Sequence, residues 1–197
     1  MHKTLLALSL AVLTTASFAS TVGQPAPNFS LTDSNGKSHS LADFKGKTVV
    51  LEWTNAECPF VKKHYGADNM QAQQGAATAS DVVWLTINSG AQGKQGQVDG
   101  AGANQLISKQ GFKSSAYLLD ASGVTGRAYG AKTTPHLYIV DAAGVLRYNG
   151  AIDSIPSADS ADIPKATQYV PQALAELAAG KPISVASSQP YGCSVKY

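Results

Sequence analysis

The 197-residue chain is 44% hydrophobic and 14% charged, with 15 Lys+Arg against 13 Asp+Glu, which suffices for one domain with a real core. That balance excludes a basic nucleic-acid or anionic-lipid surface and an intrinsically disordered chain. Two cysteines exclude a disulfide scaffold and a four-thiolate zinc site, leaving room for one bridge or one redox pair.

Residues 1–19 carry Lys3, an apolar run from Leu5 to Leu13, and a small-residue exit at Ser17, Phe18 and Ala19. This is the layout of a signal peptide cut after Ala19. Its apolar core is shorter than the roughly 18 residues a membrane span needs, and no later segment is apolar for longer. The expected mature chain is therefore soluble in an oxidising compartment, best matched by a bacterial periplasm or secretion, with neither membrane nor nucleic-acid partner.

Alternating residues from Asn28 to Thr32, turn residues from Asp33 to Lys37, and a return segment ending at Phe44 predict a β-hairpin. Thr48 to Trp53 holds the run Val49-Val50-Leu51, as in a strand buried on both faces. Pro59 opens a helix with Phe60, Val61 and Tyr65 inward, Gly66 interrupts it, and Asp68 caps a continuation to about Ala79. A second central strand follows at Val82 to Ile87. Residues 89–104 contain five glycines in sixteen positions, which predicts a mobile loop bordering the strand end, able to act as a lid. A helix over residues 103–111 and a short strand at Tyr117 to Leu119 come next.

Val124 to Tyr129 reads as a helix ended by Gly130. Leu137 to Val140 is a third strong strand, with a turn at residues 141–144 and a hairpin partner at residues 145–148. Thr167 to Ala179 places Val170, Leu174 and Leu177 on one helical face, with Gly180 as cap. The order predicts an α/β sandwich with a mixed sheet. Its divisions are a signal peptide over residues 1–19, one domain over residues 20–180, and a flexible tail over residues 181–197 carrying Cys193.

Cys58 is the leading chemical candidate. It stands at the carboxyl end of a buried strand and just before Pro59, as the N-cap of a helix, where the dipole and free amides favour a thiolate. Lys62, one turn on, adds positive potential and Glu57 opposes it. Thr134-Pro135 lies at the start of the late strand. His64, six residues past Cys58, is expected to face away into solvent. His136 lies near the thiol by position, so Cys58, Cys193 and His136 form a low-ranked copper site. His39 reads as a surface strand residue, and Tyr65, Tyr117, Tyr129 and Tyr138 as core or rim aromatics. No cofactor is called for.

A Trp53-to-Cys58 strand-to-helix turn, followed 77 residues after Cys58 by Pro135 opening an antiparallel strand, resembles the thioredoxin fold. Residues Val22-Gly23-Gln24-Pro25-Ala26-Pro27-Asn28-Phe29, Leu31-Thr32-Asp33, Asn35-Gly36-Lys37 and Leu41-Ala42-Asp43-Phe44 are similar to the redoxin branch, the AhpC/TSA or peroxiredoxin-like family. The resemblance implies a thioredoxin-like sandwich with an N-terminal hairpin extension, antioxidant or oxidoreductase chemistry at Cys58, and a cis Thr134-Pro135 peptide offering the Thr134 backbone to a substrate strand. The chain departs from thioredoxins in having Val61 where the second cysteine stands. It departs from peroxiredoxins in having Asn55 and Leu51 at the threonine and proline positions, and no arginine opening the late strand. Arg127 is the nearest substitute. Disulfide exchange is thereby favoured over peroxide reduction, with a thiol, disulfide protein or peroxide as substrate and an unassigned electron donor. Cys193 then either resolves adducts at Cys58 or staples the chain permanently, and both alternatives stand.

Overall fold

The chain is built outward from β3 (Val49–Trp53), all five of whose residues are buried. Val49, Leu51 and Trp53 enter one apolar cluster with Phe29, Leu41, Tyr129 and Tyr138. Val50, on the opposite face, enters a second cluster with Val61, Tyr65, Met70, Trp84 and Val170. A strand apolar on both faces has to be covered on both, which fixes its central place. The computed structural model describes residues 20–197, so the expected signal peptide lies outside the described residues.

Together with β1 (Ser30–Asp33), β2 (Ser38–Ser40), β4 (Val83–Asn88), β5 (Ala116–Leu119), β7 (His136–Val140) and β8 (Leu146–Gly150), β3 forms a seven-stranded sheet ordered β2-β1-β5-β4-β3-β7-β8. Strand β3 runs parallel to β4 and antiparallel to β7, and β4 runs parallel to β5, so the sheet is mixed. The first hairpin turns where Asp33 Oδ1 accepts from the amides of Asn35 and Lys37, at 2.8 and 2.9 Å. Its return strand stops at Ser40, whose side chain and Asp43 cap a 3-10 turn over Leu41–Phe44. The expected hairpin is present and its partner strand is shorter than anticipated.

Helices α1 (Pro59–Gly66), α2 (Asn69–Ala79) and α5 (Tyr169–Ala178) cover the second face. Asp68 sits between α1 and α2 at φ 55 but makes no side-chain cap, so it serves as a left-handed joint and not as the predicted cap. Helix α3 (Gly100–Gln110) starts three residues before its predicted start. The Asp99 carboxylate accepts from Gly102 N and nucleates a turn that the glycines alone disfavour. Helix α4 (Val124–Tyr129) ends at Gly130 as expected.

The largest departure is the segment after α5. Instead of a free tail, residues 181–197 run back along the molecule. Asn149 N donates to Ala186 O and Ser188 N to Asn149 O, both at 3.2 Å, and Ser188 Oγ accepts from Ala151 N at 2.9 Å. Further on, β9 (Cys193–Ser194) pairs antiparallel with β6 (Thr133–Thr134). The backbone amides and carbonyls of a polar segment are as good strand partners as those of a core strand.

Candidate active site at the N-terminus of α1

Cys58 is the N-cap of α1, with φ −70 and ψ 126, and Pro59 is the first helical residue. The preceding loop is held by Asn55, whose Oδ1 accepts from Glu57 N at 2.9 Å and whose carbonyl accepts from Cys58 N at 3.0 Å. The side chain of Cys58 is fully buried. As a thiol its Sγ donates to Thr134 O at 3.1 Å, across the cis Thr134-Pro135 peptide.

Cys193, 135 residues away, closes the site from the other side, with its amide 3.4 Å from Cys58 Sγ. Both cysteines stand as free thiols. Burial pushes the Cys58 pKa up, but the Cys193 thiol and the amides of Val61 and Cys193, all aimed at the sulfur, outweigh it and bring the pKa below the ordinary thiol value. Cys193 is pushed the other way, to about 11, by burial and then by its bond to Cys58. Cys58 is thus the more acidic thiol of the pair and Cys193 the less acidic. Cys193 and Thr134 both meet the Cys58 sulfur, and Pro135 adjoins Thr134 through the cis peptide.

The other candidates fall elsewhere. His136 is buried in β7, where Asn149 Oδ1 lies 2.8 Å from Nε2, and Lys132 N and Tyr138 Oη face Nδ1 at 3.3 and 3.2 Å. Both ring nitrogens are engaged, and desolvation pulls its pKa down to about 4. Among the described residues no group of three His, Cys, Asp or Glu side chains could hold a metal ion, so the low-ranked copper site does not assemble. Arg127 donates to Ser122 O at 2.7 Å and lies over the Tyr197 ring at 4.5 Å, so its guanidinium is committed to those groups. The loop expected to be mobile is tied down: Asn55 Nδ2 donates to Gln95 O at 3.2 Å, Asn88 Nδ2 to Gly96 O at 2.9 Å, and Ala91 N to Lys196 O at 2.8 Å. His39 is half-buried, not a bare surface residue, because Asp33 binds it at 2.8 Å and Phe44 stacks on it.

His64 is the clearest correction, since it is fully buried. The helical angle away from Cys58 is right, but that side of α1 faces the returning tail and not solvent. His64 Nε2 lies 3.3 Å from Tyr191 Oη and 3.8 Å from Asp153, while Nδ1 faces Asn69 Nδ2 at 2.8 Å. Lys63, also fully buried at the side chain, meets Asp153 at 3.5 Å, and the Tyr191 hydroxyl donates to Asp153 Oδ1. Phe60 packs edge-on against the Tyr191 ring. This cluster holds Tyr191, two residues before Cys193, and nothing in the spacing of the sequence signalled it.

The AhpC/TSA family model matches residues 22–149 of the chain. Chloroplastic peroxiredoxin Q of Oryza sativa subsp. japonica is 28% identical over 127 residues, 64% of this chain, and that of Triticum aestivum is 29% identical over the same length. In both cases the match spans 57% of the relative's own length. Among solved structures, a hypothetical protein of Sinorhizobium meliloti superposes with TM-score 0.75 at 24% identity, covering 91% of this chain and 96% of that one. An uncharacterized conserved protein of Geobacillus kaustophilus gives 0.74 at 25% identity, with 90% and 92% covered. The thioredoxin domain of a thiol-disulfide oxidoreductase from Bacteroides vulgatus gives 0.53 at 19% identity, with 75% and 97% covered, a likeness of fold.

Proposed function

We propose, from the premise that the chain belongs to the AhpC/TSA family of thiol-based oxidoreductases, that it is an exported two-cysteine reductase in which Cys58 attacks and Cys193 resolves. The observation that supports this is the pairing of a lowered thiol at a helix N-terminus with a raised thiol bonded to it. In the proposed cycle the Cys58 thiolate attacks one sulfur of a substrate disulfide, forms a mixed disulfide and releases the other sulfur as a thiolate. That thiolate takes up a proton, Cys193 gives up its own, and the Cys193 thiolate attacks Cys58 Sγ. The Cys58–Cys193 bond forms, the second substrate thiolate leaves, and two electrons have passed from the protein to the substrate. A donor thiol outside the chain reduces the bridge again.

Disulfide substrates are preferred because the described surroundings of Cys58 Sγ are neutral amides, a thiol and the Thr134 carbonyl oxygen, with Arg127 held at Ser122 and Tyr197. The peroxiredoxin Q relatives favour a second reading, in which Cys58 is oxidised by a hydroperoxide to the sulfenic acid, the alcohol leaves, and Cys193 condenses with it to release water. Export rests on the secretory layout of residues 1–19.

The test is reduction of a model disulfide and of a hydroperoxide by the mature chain, beside Cys58→Ser and Cys193→Ser. Cys58→Ser should abolish both, and Cys193→Ser should stall at the mixed disulfide or sulfenate; activity retained in Cys58→Ser overturns the reading. A redox titration separates turnover from a staple. A working pair opens between about −120 and −270 mV, whereas a bridge intact below about −300 mV is structural.

A further inference from the structure

The polar cluster on the tail side of α1 contains a charge pair that its contacts serve poorly. The side chains of Lys63 and Asp153 have no exposure to solvent, so neither charge is hydrated. Lys63 Nζ reaches Asp153 Oδ2 at 3.5 Å and Ile155 O at 3.4 Å, and lies 5.8 Å from the centre of the Tyr191 ring. A buried ion pair needs short, well-directed bonds to offset its desolvation, and these contacts are long. Neutralisation relieves such a pair.

The two carboxyl oxygens of Asp153 stand in different surroundings. Oδ1 accepts from Ile155 N at 3.1 Å and from the Tyr191 hydroxyl, two neutral donors on one oxygen. Burial and the bond to Asp153 push the Tyr191 phenol up, which keeps it a donor. Oδ2 instead faces the Lys63 nitrogen, with His64 Nε2 at 3.8 Å. The arrangement is that of an acyl group set for attack: two donors where negative charge develops, a nitrogen close by, and a leaving oxygen on the nitrogen's side.

We propose that Lys63 and Asp153 form a modification site, joined by an isopeptide bond between their side chains, with Tyr191 and the Ile155 amide stabilising the oxyanion. A proton passes from the Lys63 ammonium to Oδ2, giving an amine and a carboxylic acid. Nζ attacks Cγ, and Oδ1 takes the negative charge. A second proton moves from the nitrogen to the Oδ2 hydroxyl, which leaves as water while the Oδ1 carbonyl re-forms. A C–N bond replaces a C–O bond, and nothing is oxidised or reduced. The link ties α1, which Cys58 caps, to the segment between β8 and α5. Thiols do not open an amide, so α1 stays tied whatever the state of the cysteines. One charge of each sign is removed from beside His64, which leaves burial as the main cause of its lowered pKa. None of this depends on the proposed function.

The test is peptide mapping of the full chain after reduction and alkylation of both cysteines. The wild type should yield a branched peptide in which the fragments containing Lys63 and Asp153 are joined through those side chains, lighter than their sum by one water. Lys63→Arg should yield the two fragments unlinked. In chain made by cell-free synthesis and sampled over time, Tyr191→Phe with native near-UV dichroism should form the link about 100-fold more slowly, the cost of losing one oxyanion donor. Unlinked fragments alone in the wild type would overturn the proposal, however the variants fold. So would a dehydrated single fragment, which marks a cyclic imide at Asp153-Ser154, or linking at an equal rate in Tyr191→Phe.

Discussion

Helix α1 separates two buried polar clusters that look alike and are closed in different ways. On the sheet side, Glu52 of β3 is fully buried and receives Tyr65 Oη at 2.8 Å, Trp84 Nε1 at 2.8 Å, Gln74 Nε2 at 2.9 Å and Thr86 Oγ1 at 3.2 Å. Every donor comes from β4, α1 or α2, elements locked by the core. On the tail side, Lys63, His64 and Asp153 are equally buried, but their cover is Tyr191, which belongs to the returning tail. Burial pushes the Glu52 carboxyl up and its four donors pull it back, so this cluster acts as a strut of the domain. The tail-side cluster holds Tyr191, two residues before Cys193, and is expected to act as a latch on that segment.

The largest effect should come from cutting the strut. Glu52→Ala leaves the buried donors of Tyr65, Trp84 and Thr86 without their acceptor, while Gln74 Nε2 keeps Tyr65 Oη at 2.9 Å; at about 1–3 kcal/mol for each donor left unsatisfied, global stability in urea unfolding should fall by at least about 3 kcal/mol. The Cys58 alkylation rate, extrapolated to fully native conditions, should change far less. A small loss of stability here would mean that water replaces the carboxylate, and the contrast between strut and latch would fail.

What could be read from the sequence follows the same division. The strut side was legible because it is made of regular elements: a doubly apolar β3, a helix opened by Pro59, a break at Gly66, and a hairpin turned by Asp33 and Gly36. The position of Cys58 at a strand end and helix start followed from those. The latch side was not legible, because residues 181–197 lack any repeating apolar pattern and dock through backbone amides and a few single contacts. His64 illustrates the limit: its angle on the helix was correct, but what covers that side lies 127 residues further on. Likewise Arg127 was placed on the right helix, while its partner Tyr197 lies on a tail expected to be free.

Tyr191→Phe tests the latch directly by removing only the hydroxyl that binds Asp153 and faces His64. Asp153 keeps Ile155 N at 3.1 Å and Lys63 at 3.5 Å, so the fold should survive with a local cost of about 1–2 kcal/mol. That cost corresponds to about 5–30-fold faster alkylation of Cys58, with a urea midpoint shifted less than in Glu52→Ala. An unchanged alkylation rate would assign closure of the site to β9 and the ring contact of Tyr197 alone.

The smallest expected effect is the pH response of the latch. Burial, with Lys63 adding to it and Asp153 opposing it, holds the His64 pKa at about 4, against 6.5 for a free imidazole. Between those values the unfolded chain binds a proton that the folded chain refuses, so this contribution to stability is complete above pH 6.5 and declines as pH falls toward 4. Acidification from pH 6.5 to 5.5 should remove about 1 kcal/mol that His64→Asn does not lose. His136, also held at about 4, has the same sign, and Glu52, pushed up, has the opposite one; both are common to the two proteins and drop out of the difference. Because Tyr191 closes over His64, the same step should speed Cys58 alkylation beyond the fall set by the thiolate fraction, in the wild type and not in His64→Asn. Identical pH dependence in the two proteins would mean that the latch already admits water at neutral pH, and that the strut alone keeps its polar groups dry.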